Sequence, residues 1–364
     1  MRRRGRGLLF RVLPTAFLAA VLIGVEVVVR LTLPPLQGLD VMVAAPDQLL
    51  QLVGRQDTDA RRERPRIFEA DPLLFWKLKP NVPPTVWNQT LVATNDMGLR
   101  HPGPIGVTAT GRRRIVCLGD SVTFGFRVPF VTADHPTPTR DGQPYPRVLE
   151  EALRAAGQDV EVIAMAVPGY SSHQGLAWAR RDLNRLDPDL VVIAFGWNDA
   201  SAMPAADDDA MPMGPAYVRA RALMLRSQAA LHLVAALRSH EPVAGQPPTL
   251  IARVPHERYV ANVRAIVSEA ARVGATALVL GAVYRDDKTV ADEAARVSAS
   301  RRALAEAMRA DHTPYLEVPE LTEAGAPANT ELFVEHIHPN EAGHRRLGEA
   351  LAETILGSRL LSPP

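Results

Sequence analysis

From residue 112 onward the chain alternates between two hydrophobic rhythms. Short, mostly apolar runs at 115–118, 160–164, 190–195, 277–280 and 315–318 have the composition of buried strands. Between them, 145–156, 172–186 and 294–309 read as helices, the first stopped by Gly157. Tyr259, Val263, Ile266, Val267 and Ala270 recur at helical spacing, and Leu347, Leu351 and Ile355 line one side of a last helix that Gly357 ends. Strand–helix alternation predicts an α/β fold, a parallel sheet covered on both faces. In such sheets the active site lies beyond the carboxyl ends of the strands.

Two stretches break the rhythm. Residues 200–255 hold Asp207-Asp208-Asp209, several prolines and four methionines (Met203, Met211, Met213, Met224), with one helix expected over 217–239. The acidic triplet reads as a solvated loop rather than a cation site. The insertion is either a lid or a surface excursion. Residues 34–111 carry Pro34-Pro35, a short helix at 47–53, an exposed stretch with Arg61, Arg62, Arg64 and Arg66, and a strand at 90–94. They read as a stalk and a small irregular β region.

The N-terminus differs from both. Arg2, Arg3, Arg4, Arg6 and Arg11 precede an apolar segment, 12–29, in which Glu26 is the sole charge. Eighteen residues rise about 27 Å as a helix, enough to cross a bilayer. The arginine cluster would hold the N-terminus in the cytoplasm and leave the body outside. The length, and the lack of a small-x-small site, favour an uncleaved anchor over a cleaved signal peptide. The expected division is therefore 1–33 arginine cluster and membrane anchor, 34–111 stalk, and 112–358 catalytic domain with insertion 200–255.

Composition removes several function classes. The 364 residues carry 41 basic and 40 acidic side chains, so no global field calls for nucleic acid. Cys117 is the single cysteine and lies inside an apolar run, which excludes an intramolecular disulfide and a cysteine-based zinc site. His336, His338 and His344 lack partners at helical ligand spacing, so no metal is expected. No cofactor is expected either.

The chemistry concentrates at four loops. Gly119-Asp120-Ser121 follows the first body strand, where a glycine-flanked turn can expose a nucleophilic hydroxyl. Gly169 follows the second strand and Asn198-Asp199 the third. Glu335-His336-Ile337-His338-Pro339-Asn340 precedes the last helix, which Asn340 can cap. His338 can act as base. The amides of Ser121, Gly169 and Asn198 can supply an oxyanion hole. Asp120 reads as a brace of its turn, and Asp199 as a brace of the loop that presents Asn198.

These blocks, in this order across 112–358, resemble the SGNH hydrolases, also called the GDSL family. The resemblance implies a three-layer α/β/α sandwich with a mostly parallel five-stranded, flavodoxin-like sheet. It also implies serine ester hydrolysis. Asn95-Asp96-Met97-Gly98-Leu99-Arg100 looks like an upstream segment of similar members, which implies that part of 34–111 packs on the hydrolase. One departure stands out: the family usually places Asp three residues before its histidine, and this chain has Glu335. Either Glu335 orients His338, or a Ser–His dyad works without it.

The expectation is a membrane-anchored, extracytoplasmic serine esterase acting on acyl esters of small molecules or polysaccharides, acetyl esters above all. An O-acyltransferase and a non-catalytic glycan-binding scaffold are the competing readings. The residues leave oligomeric state open.

Overall fold

The computed structural model describes residues 4–42, 67–106, 111–131, 142–239, 249–285, 290–322 and 329–361. The helix expected at 47–53 and the arginine-rich stretch that follows lie outside the described residues. The chain opens with a helix, Arg4–Thr32, whose apolar span is Pro14–Thr32. Strands β1 (Phe68–Asp71) and β2 (Phe75–Leu78) form one antiparallel hairpin, and β3 (Thr85–Trp87) and β4 (Thr90–Val92) another. The body follows with β5 (Arg113–Gly119), β6 (Val160–Ala166), β7 (Leu190–Ala194), the short β8 (Ala202–Met203) and β9 (Ile251–Ala252), then β10 (Thr276–Leu280) and β11 (Tyr315–Leu316).

Five of these strands make one parallel sheet, ordered β11-β10-β7-β5-β6. Counted along the sheet's own strands this is the flavodoxin-like order, and its switch point is the crevice between β5 and β7. Alternate residues feed opposite layers. Val116 and Leu118 of β5, with Val191 and Ile193 of β7, enter the core under helices Ser172–Leu186 and His256–Arg272. Ile115 and Cys117, with Leu190 and Val192, enter the core under helices Tyr145–Ala155 and Glu341–Gly357. Helix Ala291–Ala310 also lies in the body, with Leu304 and Met308 in the first of these cores. Burial on both faces explains why these strands read as apolar runs rather than as alternation. The fold is the expected three-layer α/β/α sandwich.

Three local expectations fail for physical reasons. The single helix over 217–239 is two, Pro215–Met224 and Gln228–Ser239, because Ser227 interrupts the run. Its hydroxyl accepts from the N–H of Ala230 at 3.1 Å, starting a new helix as a cap does. The acidic triplet is not a solvated loop throughout. Asp207 is 4% exposed and ion-paired with Arg253 at 3.0 Å. Strand 315–318 is also shorter than expected: its pairing with β10 ends at Leu280 and Leu316, where β10 itself ends, and Val318 stays extended outside the ladder.

Candidate active site

Ser121 is the first residue of a one-turn helix, Ser121–Phe124, placed directly beyond β5 at the switch point. Asp120 caps that turn by accepting from the N–H of Val122 at 2.9 Å. Gly119 is required by space: a Cβ there would lie 2.7 Å from the Ala194 carbonyl oxygen and closer still to the Thr123 hydroxyl. Gly125, at φ 76°, ends the turn in the left-handed region.

His338 arrives from the far end of the chain. Asn340 caps the last helix through the N–H groups of Ala342 and Gly343, at 2.9 and 3.1 Å, and so fixes the loop before it. The imidazole Nε2 lies 2.9 Å from Ser121 Oγ, and its Nδ1 contacts the Glu335 carboxylate. With Nδ1–H donating to Glu335, Nε2 is left to accept the serine proton. The Phe126 ring packs 4.5 Å from the imidazole, centroid to centroid. Ser121 and His338 are 7% and 8% exposed, so their contact lies largely out of water.

The longer glutamate reaches the imidazole because its other oxygen is tied back. Glu335 Oε2 accepts from the N–H of Ile337 at 3.0 Å. Burial opposes its charge, but the His338 imidazole, that N–H and His336 outweigh it and hold the pKa down to about 2. Glu335 is therefore an anion across the working pH range. His344, one turn into the last helix, plays no such part. Burial first, then the charge of Arg100 and the nearby His338 imidazole, push it down to about 3, and its Nδ1 accepts from the N–H of Tyr145 at 3.1 Å.

The three expected oxyanion donors are not equivalent. Among the described residues, the N–H groups of Ser121 and Gly169 donate to no partner. Asn198 instead spends both hydrogens of Nδ2, on the Asp120 carboxylate at 3.1 Å and the Tyr170 carbonyl at 3.0 Å. Its amide reaches an oxyanion only by sharing or releasing one of these bonds. Burial lifts the Asp120 carboxyl to about 6, against the pull of the Val122 N–H, His338 and Asn198. Asp199 clamps the N-terminus of helix Ser172–Leu186 by accepting from the N–H and hydroxyl of Ser172. Burial carries it up to about 7 despite those bonds.

Sequence reasoning missed a further layer. Arg253, 2% exposed, donates to the Gly169 carbonyl at 2.9 Å and to both oxygens of Asp207 at 3.0 Å. Asp207 also accepts from the Ser171 hydroxyl. This buried pair holds both sides of the Gly169 turn, whose φ is 83°. Nothing in spacing or composition links residues 46 positions apart. Trp76 reaches the same turn by donating to the Pro168 carbonyl at 3.2 Å. Arg100, flagged only within its motif, donates to the carbonyls of Phe124, Gly125, Leu91 and Val128 at 2.6 to 2.9 Å, binding the Ser121 turn to the β3–β4 region.

A hydroxyl, an imidazole and a carboxylate in series, beside two unengaged N–H groups, have the parts for acyl transfer. Comparisons with known proteins agree in kind. Residues 117–346 match the GDSL-like Lipase/Acylhydrolase family. An arylesterase of Vibrio mimicus is 30% identical over 95 residues, 26% of this chain and 42% of the relative's length. A lipase/acylhydrolase of Enterococcus faecalis superposes with a TM-score of 0.44 at 18% identity, covering 68% of this chain and 96% of that one. An acetylxylan esterase of Geobacillus stearothermophilus superposes with a TM-score of 0.43 at 15% identity, covering 67% and 94%.

Proposed function

Because the chain belongs to the GDSL-like lipase/acylhydrolase family, we propose that it is a serine esterase in which Ser121, His338 and Glu335 form the catalytic triad. The observation that carries this reading is the series of contacts from Ser121 Oγ through His338 to Glu335. Ser121 Oγ attacks the acyl carbonyl while His338 Nε2 takes its proton. Glu335 holds the tautomer and stabilises the imidazolium that forms. The N–H groups of Ser121 and Gly169 receive the oxyanion, and Asn198 joins them by turning one hydrogen from its resting partners. His338 returns the proton to the leaving alkoxide. Water, activated by the same imidazole, then frees the acid and restores the hydroxyl.

The substrate class is an O-acyl ester, with acetyl on a cell-envelope or secreted polysaccharide as the specific reading. The unit layout that goes with it is 1–33 anchor, 34–111 stalk and 112–358 hydrolase. The helix Pro14–Thr32 serves as a single membrane anchor with the hydrolase outside the cytoplasm, a reading supported by its length and by the arginines that precede it. The test is a panel of acyl esters, acetylated polysaccharide included, offered to the full chain with products identified. Release of free acid from short-chain esters supports the reading. Transfer to a sugar hydroxyl without net hydrolysis would replace esterase by acyltransferase.

A further inference from the structure

The apolar helix contains one acidic side chain, Glu26, and its partners lie some 200 residues away. Glu26 Oε1 accepts from the N–H of Gln228 at 2.9 Å, and Oε2 from the N–H of Ala229 at 3.0 Å and the Ser227 hydroxyl at 2.7 Å. Arg30 donates to the same carboxylate at 2.6 Å and to the Arg226 carbonyl at 3.2 Å. Gln228 pairs through its side chain with both backbone groups of Leu36, at 2.8 and 3.1 Å. The start of helix Gln228–Ser239 is thus fastened to the last two turns of the N-terminal helix.

Glu26 stands six residues before Thr32, about 9 Å inside the end of the apolar span at 1.5 Å per residue. A carboxylate at that depth is costly unless donors surround it. A helix N-terminus at that depth has the converse need, since its first N–H groups find no water there. Glu26 and residues 227–229 meet both needs at once. Beyond this junction the second helix leaves Leu233 and Leu237, one turn apart, 60% and 64% exposed. Leu223 on the preceding helix is 68% exposed, and Leu31 and Leu33 on the N-terminal side are 81% and 44% exposed. Arg219 on the preceding helix and Arg226 in the turn between the two helices are exposed.

We propose that helix Gln228–Ser239 is an interfacial element, seated by Glu26 in the same phospholipid bilayer that the N-terminal helix enters, with Leu233 and Leu237 in the acyl-chain boundary. The inference rests on the anchor reading above. Lipid is the occupant because the exposed leucines sit on a helix packed directly against the apolar span, and the charged groups at the junction, Glu26 and Arg30, are bonded to each other and to residues 226–229. Arg219 and Arg226 supply cations for lipid phosphates, as interfacial helices do. The insertion is then neither a lid nor a free excursion. It is the part of the hydrolase that lies on the membrane.

The test uses the full chain in vesicles of phosphatidylethanolamine and phosphatidylglycerol. Cys117 is buried, so an environment-sensitive thiol fluorophore reports only an added cysteine. Probes are placed by Val21→Cys in the span, Leu233→Cys and Leu237→Cys on the proposed surface, and Arg302→Cys as an aqueous control. Doxyl-labelled lipid should quench the probes at 21, 233 and 237 several-fold more than the probe at 302. Iodide should show the reverse order. Lipid quenching at 21 with iodide quenching at 233 and 237 would overturn the proposal and leave the anchor standing. Shielding of 233 and 237 from both quenchers would overturn it in favour of a protein partner or a second copy. Absence of lipid quenching at 21 would remove the anchor reading and the proposal together.

Discussion

In the strand–helix body, every residue of β7 is buried and helix Ser172–Leu186 buries nine of its residues. In the insertion, helix Pro215–Met224 buries none, and Leu231 is the buried member of the next helix among its described side chains. The body is held by area, spread over alternate positions of each strand and one stripe of each helix. The insertion adds a few apolar side chains to the core, Met211 and Val254 among them, and is otherwise held at discrete polar points: Glu26 on 227–229, Arg221 on the Pro72 carbonyl at 2.7 Å, and Arg253 on Asp207. Distributed burial leaves a period in the sequence, whereas a point contact leaves none. The last of these points also reaches the site, because Arg253 grips the Gly169 turn.

The contrast can be broken at several places. The largest effect is expected inside the body's relay. Glu335→Gln should lower kcat by about 10²–10⁴-fold with KM little changed, and Glu335→Asp should restore part of it, read by steady-state ester hydrolysis. Next comes the neck of the insertion. Arg253→Met leaves Asp207 buried without its partner and should cost about 3–5 kcal/mol in denaturant unfolding, with a fall in kcat as the Gly169 turn loosens. If it proved neutral in both, the insertion would have no hold on the site. In the body core, Leu278→Ala, fully buried in β10, should cost about 2–5 kcal/mol. The exposed Leu223→Ser should shift stability by about 0.5 kcal/mol or less in detergent. Equal costs for these two would erase the difference between regions.

A separate effect depends on pH. Burial raises Asp199 from its ordinary value of 3.8 to about 7, so between those values folding takes up a proton. The contribution is fully present below the unfolded value and is lost as pH rises through about 7. Asp199→Asn should flatten that part of the stability–pH curve. An unchanged slope would mean that Asp199 is not the group that titrates.

Much of this was legible in advance. The sheet strands could be read because all but the half-buried edge strand β11 are buried along most of their length, and the helices because their stripes keep one period. Ser121, Gly169, Asn198 and His338 stand out because each follows a strand or precedes a capped helix, where turn residues mark themselves. The ends of elements were less legible: β11 stops where its partner β10 stops, and Ser227 split a helix that hydrophobicity alone would run through. Asp207 looked like a solvated acid because its partner, Arg253, is contributed by the other side of the insertion's neck. Glu26 looked like a blemish in an apolar span for the same reason. Glutamate in place of aspartate raised a doubt about geometry that a sequence cannot weigh, since the answer lies in the Ile337 N–H that folds the longer side chain back.

The central claim is that His338 activates Ser121 as the nucleophile. Treating the full chain with a fluorophosphonate and mapping the adduct by peptide mass spectrometry addresses both halves at once. The account predicts a single adduct on Ser121, formed at least about 10³-fold more slowly in His338→Ala. An adduct on a different serine, or equal labelling rates with and without the imidazole, would contradict it.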